Sequence, residues 1–404
     1  MTTTVTPDAT PSAVLEAARD IAGRVSGPLA ATWDADNRFP TELFAALHEV
    51  RLDAMSVPRR LGGLEIGPDT DDPLSMWLTL RTLATADSAS THCVQVHSNT
   101  VHAVRLLGTP EQQDRYLGPV VSEGAVFGFW GSEQDGRPEA HGRGFTTARR
   151  VAGGWELTGK KYYSTNAREA RFAVVFAFPE GASDPLGEMM LCIVDCTSEG
   201  VVVNPSWWDS ATGMRATVSD EVLLEGVFVP DDAVLGPAGG YWEQQIQARY
   251  LPAFSSNFQG VGTHLLTYGM DYVQSRGRHE NATLRRYLGE ARLHLVNADL
   301  LLRRTAELYA NGQLPQAFHH SRMLRSYSEI ATRRVLELVQ ASCGASIYFR
   351  EHPLERMLRD WNFFSRHENI DLILEAVGTH EFGLGGGGSP EDFGFGNDHF
   401  RPGP

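Results

Sequence analysis

The chain has 404 residues, of which 42% are hydrophobic, and its 35 Lys and Arg against 50 Asp and Glu give a formal net charge of −15. A chain of this length exceeds what a single core usually holds, so two or three packed subdomains are expected. The acidic balance excludes extended contact with phosphate backbones, and no segment reaches the roughly 20 apolar residues of a membrane span. We therefore expect a soluble, cytoplasmic protein with neither nucleic acid nor membrane as a partner.

Residues 1–125 predict helices, because apolar side chains recur there at helical spacing. These helical segments run from Ala13 to Val25, Glu42 to Val50, Leu74 to Thr85 and Val94 to Leu107, and a further helix begins at Thr109 with Pro110 in its first turn. From about Val126 the segments become short and rich in Val and Phe, with Gly, Pro and Asp between them, which is typical of strands. The predicted strands are Phe172 to Phe178, Met189 to Val194, Gly200 to Val203 and Glu221 to Val229.

The helical period returns after Gly239 and Gly240. The predicted helices are Tyr241 to Ser275, Leu284 to Asn311, Gln316 to Ser342 and Pro353 to Val377. A helix, sheet, helix order along the chain favours segregated layers over alternating βαβ units. We predict an α+β protein with an N-terminal helical domain (1–125), a central antiparallel β-sheet domain (126–238), a C-terminal four-helix bundle (239–384) and a Gly-rich tail (385–404).

Three patterns carry little chemistry. The glycines between Gly383 and Gly388 match the letters of a dinucleotide fingerprint, but they follow a helix and precede a polar tail, which we expect to be flexible or draped over the surface. His92, His97 and His102 recur every five residues, so their rings leave any common helix face and we predict no metal site. The four scattered cysteines predict buried thiols; they are Cys93, Cys192, Cys196 and Cys343.

A series of motifs between Phe39 and Leu372 resembles the acyl-CoA dehydrogenase superfamily, in the same order. The motifs lie at Phe39 to Leu43, Val57 to Pro58, Leu61 to Gly63, Leu107 to Gln112, Phe129 to Glu133, Gly159 to Asn166, Gly213 to Thr217 and Val227 to Pro230. The resemblance implies helix–sheet–helix subunits assembled as a homotetramer, or as a homodimer, with a flavin bound between two of them.

A flavin site requires an aromatic wall, hydrogen-bond donors for the ring edge and cations for a pyrophosphate. The resemblance places Phe129, Gly131, Ser132, Tyr163 and Thr165 at flavin contacts, and Ser164 adds a hydroxyl beside them. Trp130 lies within the same strand as Phe129, and we predict it as a wall of the substrate pocket.

Two further pieces are predicted to reach the flavin from a neighbouring subunit. Arg276 matches the arginine that contacts the FAD pyrophosphate, and the segment from Gln340 to Gly344 matches a Gln-x-x-Gly-Gly turn. Both depart from the family pattern, because the Phe-Gly that usually follows the arginine is missing and Cys343 replaces the first glycine. Weak binding of the nucleotide half of the cofactor would suit an enzyme that receives reduced flavin from a partner. FMN is the alternative to FAD.

The reaction type depends on His367 and Glu368, which follow Arg359 and Asp360 by eight residues. In the superfamily such an Arg-Asp pair leads into a loop whose carboxylate removes a substrate proton, and Glu368 is in register with that base. Dehydrogenases place a glycine after the base, whereas here Asn369 follows and His367 precedes it, which is more similar to the flavin-dependent monooxygenases of this fold. A histidine can supply or relay a proton near neutral pH, and an adjacent carboxylate can orient its ring or raise its pKa.

The main hypothesis is a two-component flavin-dependent monooxygenase. It would use reduced flavin from a separate reductase, with O2 as co-substrate, to oxidise carbon, nitrogen or sulfur of a small organic molecule. The first alternative is an acyl-CoA or acyl-carrier thioester dehydrogenase with Glu368 as its base. The second is a non-catalytic flavin-binding scaffold. Glu375 is a rival carboxylate, but its position on the following apolar helix predicts that it faces solvent.

Overall fold

The structure is a computed structural model that describes residues 5–6, 8–133, 146–184, 187–350 and 352–384. The predicted tail, 385–404, lies outside the described residues. Within them, no helix combines the length and apolar composition that a bilayer crossing requires.

Among the described residues, six α-helices form the N-terminal region, as the apolar spacing predicts. They are α1 (Pro11–Ile21), α2 (Gly27–Asp36), α3 (Thr41–Glu49), α4 (Pro73–Ala84), α5 (Ser88–Leu107) and α6 (Pro110–Glu123). Local capping fixes their starts: Thr109 and Gln112 form a reciprocal capping box before α6, and Asp87 accepts the Ser90 N–H at 2.8 Å before α5. Helix α5 is buried along most of its length although it carries many polar side chains, so its neighbours must satisfy those groups.

In the part of the central region that the structure describes, seven strands form one sheet. They are β1 (Val126–Trp130), β2 (Thr147–Val151), β3 (Gly154–Ser164), β4 (Ala170–Pro179), β5 (Met190–Asp195), β6 (Val201–Asn204) and β7 (Asp220–Pro230), with a short helix α7 (Pro205–Trp208) between β6 and β7. The strand order is β1-β4-β2-β3-β7-β6, and β5 also pairs with β4. The sheet is mixed rather than wholly antiparallel, because β4 runs parallel to both β1 and β2. The pairing direction depends on long connections that strand periodicity does not encode.

The C-terminal region is helical. It contains α8 (Gly240–Glu243), α9 (Ile246–Ser275), α10 (Ala282–Ala310), α11 (Leu314–Cys343), α12 (Pro353–Phe364) and α13 (Ile370–Glu381). Helices α9, α10 and α11 pack on one another as long antiparallel neighbours, and α13 packs on α11. The predicted helix–sheet–helix order is therefore confirmed.

Two predicted helices are broken at positions that matter for the site. The segment from Pro353 to Val377 forms α12 and α13, separated by a turn that holds the His-Glu pair. The segment from Tyr241 to Ser275 is interrupted at Gln245, which has a left-handed φ of 48°. Apolar periodicity continues across both breaks, so the sequence pattern alone did not place them.

Candidate functional site

His367 and Glu368 lie in the turn between α12 and α13. The His367 N–H donates to the Phe364 carbonyl at 3.0 Å, which extends the last turn of α12. Asn369 caps α13, since its side chain accepts the Asp371 N–H at 3.0 Å. Both ends of the turn are thus fixed by local hydrogen bonds.

The His367 ring packs against a cluster of aromatic side chains. Its centroid lies 4.8 Å from that of Phe254 on α9, 5.7 Å from that of His92 on α5 and 6.3 Å from that of Phe364. The side chain nevertheless stays exposed on its outer edge. His367 therefore sits where three helices meet, with one edge open to a ligand.

The electrostatic surroundings keep His367 neutral. Protein atoms packed around the ring lower the pKa of the imidazole, Glu368 raises it, and Arg325 lowers it again. Glu368 therefore acts in the expected direction, but burial outweighs it and the net effect is a lowered pKa. At neutral pH the ring carries one donor and one acceptor nitrogen, which suits relaying a proton rather than storing a second one.

Glu368 is turned towards Arg325 instead of His367. Its Oε2 accepts the Arg325 Nε–H at 3.0 Å, and its Oε1 accepts the Gln247 amide at 3.4 Å. Arg325 is fully buried and also donates to buried Glu329 at 2.9 Å. No hydrogen bond joins Glu368 to His367 among the described residues, so direct orientation of the ring by this carboxylate is not seen. These contacts occupy both carboxylate oxygens of Glu368, which does not favour it as a base.

His92 is the site residue that the sequence did not single out for catalysis. It is buried, and its ring packs against Phe364 and Phe254 as well as His367. The ring centroids of Phe364 and Phe254 lie 4.7 Å and 5.8 Å from that of His92. Burial, followed by the nearby imidazole of His367, lowers the pKa of His92 to about 3. The sequence signal was the dense run of polar residues on α5, which is unusual for a buried helix.

A row of hydroxyl groups extends from His92 into the sheet domain. Thr165 Oγ1 lies 3.5 Å from His92 Nε2 and 2.8 Å from Ser219 Oγ, which in turn lies 2.7 Å from Thr217 Oγ1. Thr165 was predicted to contact the flavin, but it is buried and its hydroxyl is engaged with these neighbours. Its hydroxyl therefore connects the sheet to the histidine pair.

The two aromatic residues at the end of β1 differ in burial, since Phe129 is half-buried and Trp130 is buried. Phe129 is half-buried and meets Phe176, Tyr241 and Tyr250 at centroid distances of 5.3, 6.0 and 5.8 Å. It thus joins an aromatic cluster next to Glu368, whose charge raises the pKa of Tyr241 in addition to the larger effect of burial.

Trp130 differs from its prediction as a substrate wall. It is fully buried and donates its indole N–H to the Thr165 carbonyl at 3.3 Å. The side chain has no exposed surface that a ligand could touch, because successive strand residues point to opposite faces and Phe129 takes the other face.

Gly131 and Ser132 follow β1 at the sheet edge. A Cβ at Gly131 would lie 2.9 Å from the Phe176 ring, so glycine permits a close approach there. Ser132 is exposed, and its carbonyl accepts the Tyr162 N–H at 3.0 Å. The Ser132 hydroxyl is thus positioned beside β3 and open to solvent.

Tyr163 projects outward because β3 is irregular at this point. The pairing of β3 with β7 shifts register between Lys161 and Ser164, and Tyr163 has a left-handed φ of 53°. Tyr163 is 51% exposed, and its ring centroid lies 5.1 Å from that of Trp207 and 6.5 Å from that of Phe363. It offers a free aromatic face of the kind that a flavin ring requires.

Ser164 is buried, and its Oγ makes no hydrogen bond within the described residues. A buried hydroxyl without a partner is costly, which marks it as a group awaiting a ligand or water. Together with the Tyr163 face and the open edge of His367, these residues fit a flavin in their chemistry.

Arg276, Gln340 and Gly344 lie at the opposite end of the C-terminal helices. Arg276 ends α9 and is exposed, with its guanidinium 5.3 Å from the Tyr272 ring. Gly344 follows α11 and its N–H donates to the Gln340 carbonyl at 3.0 Å. At a rise of about 1.5 Å per residue, Arg276 lies about 33 Å along α9 from Phe254. The structure thus separates these three residues from His367 within one subunit.

No group of three or more His, Cys, Asp or Glu side chains is arranged to hold a metal ion among the residues that the structure describes. His97 instead links two regions: its Nε2 lies 2.8 Å from the Asp53 carbonyl and its Nδ1 accepts the Phe127 N–H at 3.0 Å. His102 pairs with Asp69 at 3.0 Å. These histidines satisfy buried polar groups of the fold.

Comparison with known proteins gives two family matches. Residues 9–124 match the acyl-CoA dehydrogenase N-terminal domain, and residues 128–227 match the acyl-CoA dehydrogenase middle domain. The chain is 26% identical over 368 residues to the mitochondrial short-chain specific acyl-CoA dehydrogenase of Bos taurus, covering 89% of this chain and 86% of that protein. It is also 26% identical over 359 residues to the dibenzothiophene monooxygenase of Mycolicibacterium goodii, covering 81% and 83% of the two chains.

The fold is shared with solved structures. The FMN-bound dibenzothiophene monooxygenase of a Paenibacillus species superposes with a TM-score of 0.82 at 21% identity, covering 94% of this chain and 99% of that one. Relatives with dehydrogenase and monooxygenase activity thus match at similar identity, and the choice between them rests on the chemistry of the site.

Proposed function

Since the chain belongs to the acyl-CoA dehydrogenase family, we propose that it is a flavin-dependent monooxygenase that uses reduced flavin and O2 to oxidise a small organic molecule. The observation that carries the proposal is the orientation of the His-Glu pair. His367 is an exposed residue beside an aromatic cluster, whereas Glu368 is held by buried Arg325 at 3.0 Å. The pair thus presents a relay group rather than a free carboxylate base.

When bound, reduced flavin supplies the two electrons that allow one oxygen atom to enter the substrate while the other leaves as water. The protein residues exclude water and move protons. Phe254 and Phe364 shield the inner side of His367, and the neutral imidazole can accept a proton on one nitrogen while donating from the other. The paired His92 carries no charge, so it does not repel a proton arriving at His367.

The test compares His367→Ala with an exposed-histidine control, His279→Ala. Both proteins are loaded with reduced FMN or FAD and mixed with O2, with dibenzothiophene or indole as probe substrates. We expect the His367 variant to bind flavin normally and to release more of the consumed oxygen as H2O2 instead of product, while the control matches the wild type. Equal product yield in all three proteins would remove His367 from the mechanism.

The dehydrogenase alternative is favoured by the whole-chain similarity to short-chain acyl-CoA dehydrogenases. It requires Glu368 to remove an α-proton. Glu368→Gln separates the two reactions, because the amide preserves an acceptor for Arg325 and removes the base. The proposal predicts at least partial retention of activity with O2, whereas the alternative predicts complete loss of acyl-CoA oxidation. A scaffold without activity would give no turnover with either substrate class.

The proposal includes a second subunit at the flavin site. Arg276 and Gly344 lie too far from His367 to share a cofactor within one chain, so we assign them to a neighbouring subunit's site. Helix α10 supports an association surface, since Leu293, Val296 and Leu300 form an exposed apolar stripe at 59%, 46% and 59% exposure. Light scattering should give a homotetramer, or a homodimer, that Leu293→Glu with Leu300→Glu dissociates. A separate reductase as the source of reduced flavin completes the proposed system.

A further inference from the structure

The turn from Gly213 to Ser219, called here the Met214 turn, joins α12 to the hydroxyl groups beside His92. Gly213 packs directly on α12, because a Cβ there would lie 2.3 Å from the Arg359 carbonyl oxygen. Met214 and Val218 adopt left-handed φ values of 55° and 41°. Such conformations are unfavourable for residues with a side chain and persist only when the surroundings impose them.

Asp360 provides that constraint from α12. Its Oδ1 accepts the Met214 N–H at 2.6 Å, and the side chain is only 2% exposed. Its other oxygen lies 3.9 Å from Arg356, which is also paired with Asp87. Two buried carboxylates thus share one guanidinium, and one of them holds the strained turn.

The hydrogen bonds along the row of hydroxyl groups can be donated in only one direction. The Thr217 hydroxyl donates to the Met214 carbonyl at 2.8 Å, and a hydroxyl has a single proton. The contact between Thr217 and Ser219 therefore uses the Ser219 proton, and the contact between Ser219 and Thr165 uses the Thr165 proton. The remaining contact, from Thr165 Oγ1 to His92 Nε2 at 3.5 Å, can be filled only by a proton on Nε2.

We propose that Asp360 is a positioning residue that anchors this one-way hydroxyl row through Met214 and thereby holds His92 as its Nε2-protonated tautomer. His92 Nδ1 is then the unprotonated nitrogen of the ring. The lowered pKa of the buried His92 agrees with a ring that stays neutral. Asp360 contacts neither His92 nor His367, and it acts entirely through the turn.

The relevance of the tautomer to catalysis rests on the proposed function, but the tautomer itself does not. It is measured by NMR correlations of the histidine ring nitrogens in isotope-labelled full-length protein without flavin, substrate or O2. The difference spectrum against His92→Asn assigns the signals. A failed tautomer assignment would leave the oxygenase proposal standing, and a failed oxygenase proposal would leave these spectra unchanged.

Four variants test the row. Ser219→Ala frees the Thr165 proton to point at His92, so we expect His92 to shift towards the Nδ1-protonated form, and Thr217→Val provides a second break with a near-isosteric side chain. Asp360→Ala should cause a smaller shift in the same direction, whereas Asp360→Asn keeps an oxygen acceptor for Met214 and should preserve the wild-type signal. An Nδ1-protonated His92 in the wild type, or an unchanged tautomer in both Ser219→Ala and Thr217→Val, would overturn the proposal. If Asp360→Asn shifts the His92 signal as Asp360→Ala does, an oxygen acceptor for the Met214 N–H does not preserve the tautomer. That result would remove Asp360 from the proposal.

Discussion

Removing the buried guanidinium of Arg325 should destabilise the protein strongly. Arg325 and Glu329 are both fully buried, and Arg325 also holds Glu368 and lies 4.4 Å from the Phe258 ring centroid. In Arg325→Met the hydrophobic part of the side chain is retained, but the charge that compensates Glu329 is lost. Loss of one partner of a buried pair costs about 3–5 kcal/mol, so we expect a decrease of that size in the free energy of unfolding.

Urea denaturation followed by tryptophan fluorescence measures this decrease. Arg333→Met is the matched control, because Arg333 pairs with the same Glu329 but its side chain is 46% exposed, and such pairs contribute about 0–1 kcal/mol. Combining Arg325→Met with Glu329→Met should recover much of the lost stability, since it removes the stranded charge. A loss below about 1 kcal/mol in Arg325→Met, or no recovery in the double variant, would refute the view that this network is a tightly coupled buried charge cluster.

Three further predictions concern Gly213, Asp360 and Tyr163. Gly213→Ala should lower the free energy of unfolding by about 1–3 kcal/mol, because the added Cβ would overlap the α12 backbone. Thermal denaturation checks this prediction. The control is Gly118→Ala, because Gly118 has open space around it. Burial and the nearby charge of Asp87 raise the pKa of Asp360 to about 7 against the opposing charge of Arg356, so the folded protein holds this proton more tightly than the unfolded chain. Wild-type stability should therefore fall relative to Asp360→Asn as the pH rises from about 4 to about 7 and level off above that, and a pH-independent difference between the two would contradict it. Tyr163→Ala should weaken flavin binding in a fluorescence titration while leaving the unfolding midpoint unchanged, because the ring is 51% exposed; unaltered flavin affinity would exclude it as the flavin wall.

The fold was predictable because its signals are local. Helical spacing, strand composition and caps such as Thr109 before α6 are each written within a few neighbouring residues. The parallel pairing of β4 with β1 and β2 was not predictable, since it depends on contacts between strands distant in sequence. The break between α12 and α13 became visible only through the motif around His367, not through periodicity.

The candidate site was predictable in part for the same reason. The motif spacing indicated the turn that carries His367 and singled out Tyr163, but not the irregularity of β3 at that residue. The partner of Glu368 could not be inferred, because Arg325 comes from a different helix and approaches only after α11 and α13 pack together. His92 was missed because its role depends on the packing of α5 against α12, and Trp130 was misplaced because one residue along a strand reverses the face.

The monooxygenase proposal depends most directly on which reaction the flavin-loaded protein performs. The decisive measurement is anaerobic mixing of the oxidised, flavin-loaded protein with butyryl-CoA, followed in a parallel sample by mixing of the reduced protein with O2. For a monooxygenase, we expect butyryl-CoA to leave the absorbance of the oxidised flavin unchanged. We also expect His367→Ala, but not His279→Ala, to alter the time course of the reaction between the reduced protein and O2. Bleaching of the oxidised flavin by butyryl-CoA that disappears in Glu368→Gln would contradict the account and establish the carboxylate as a dehydrogenase base.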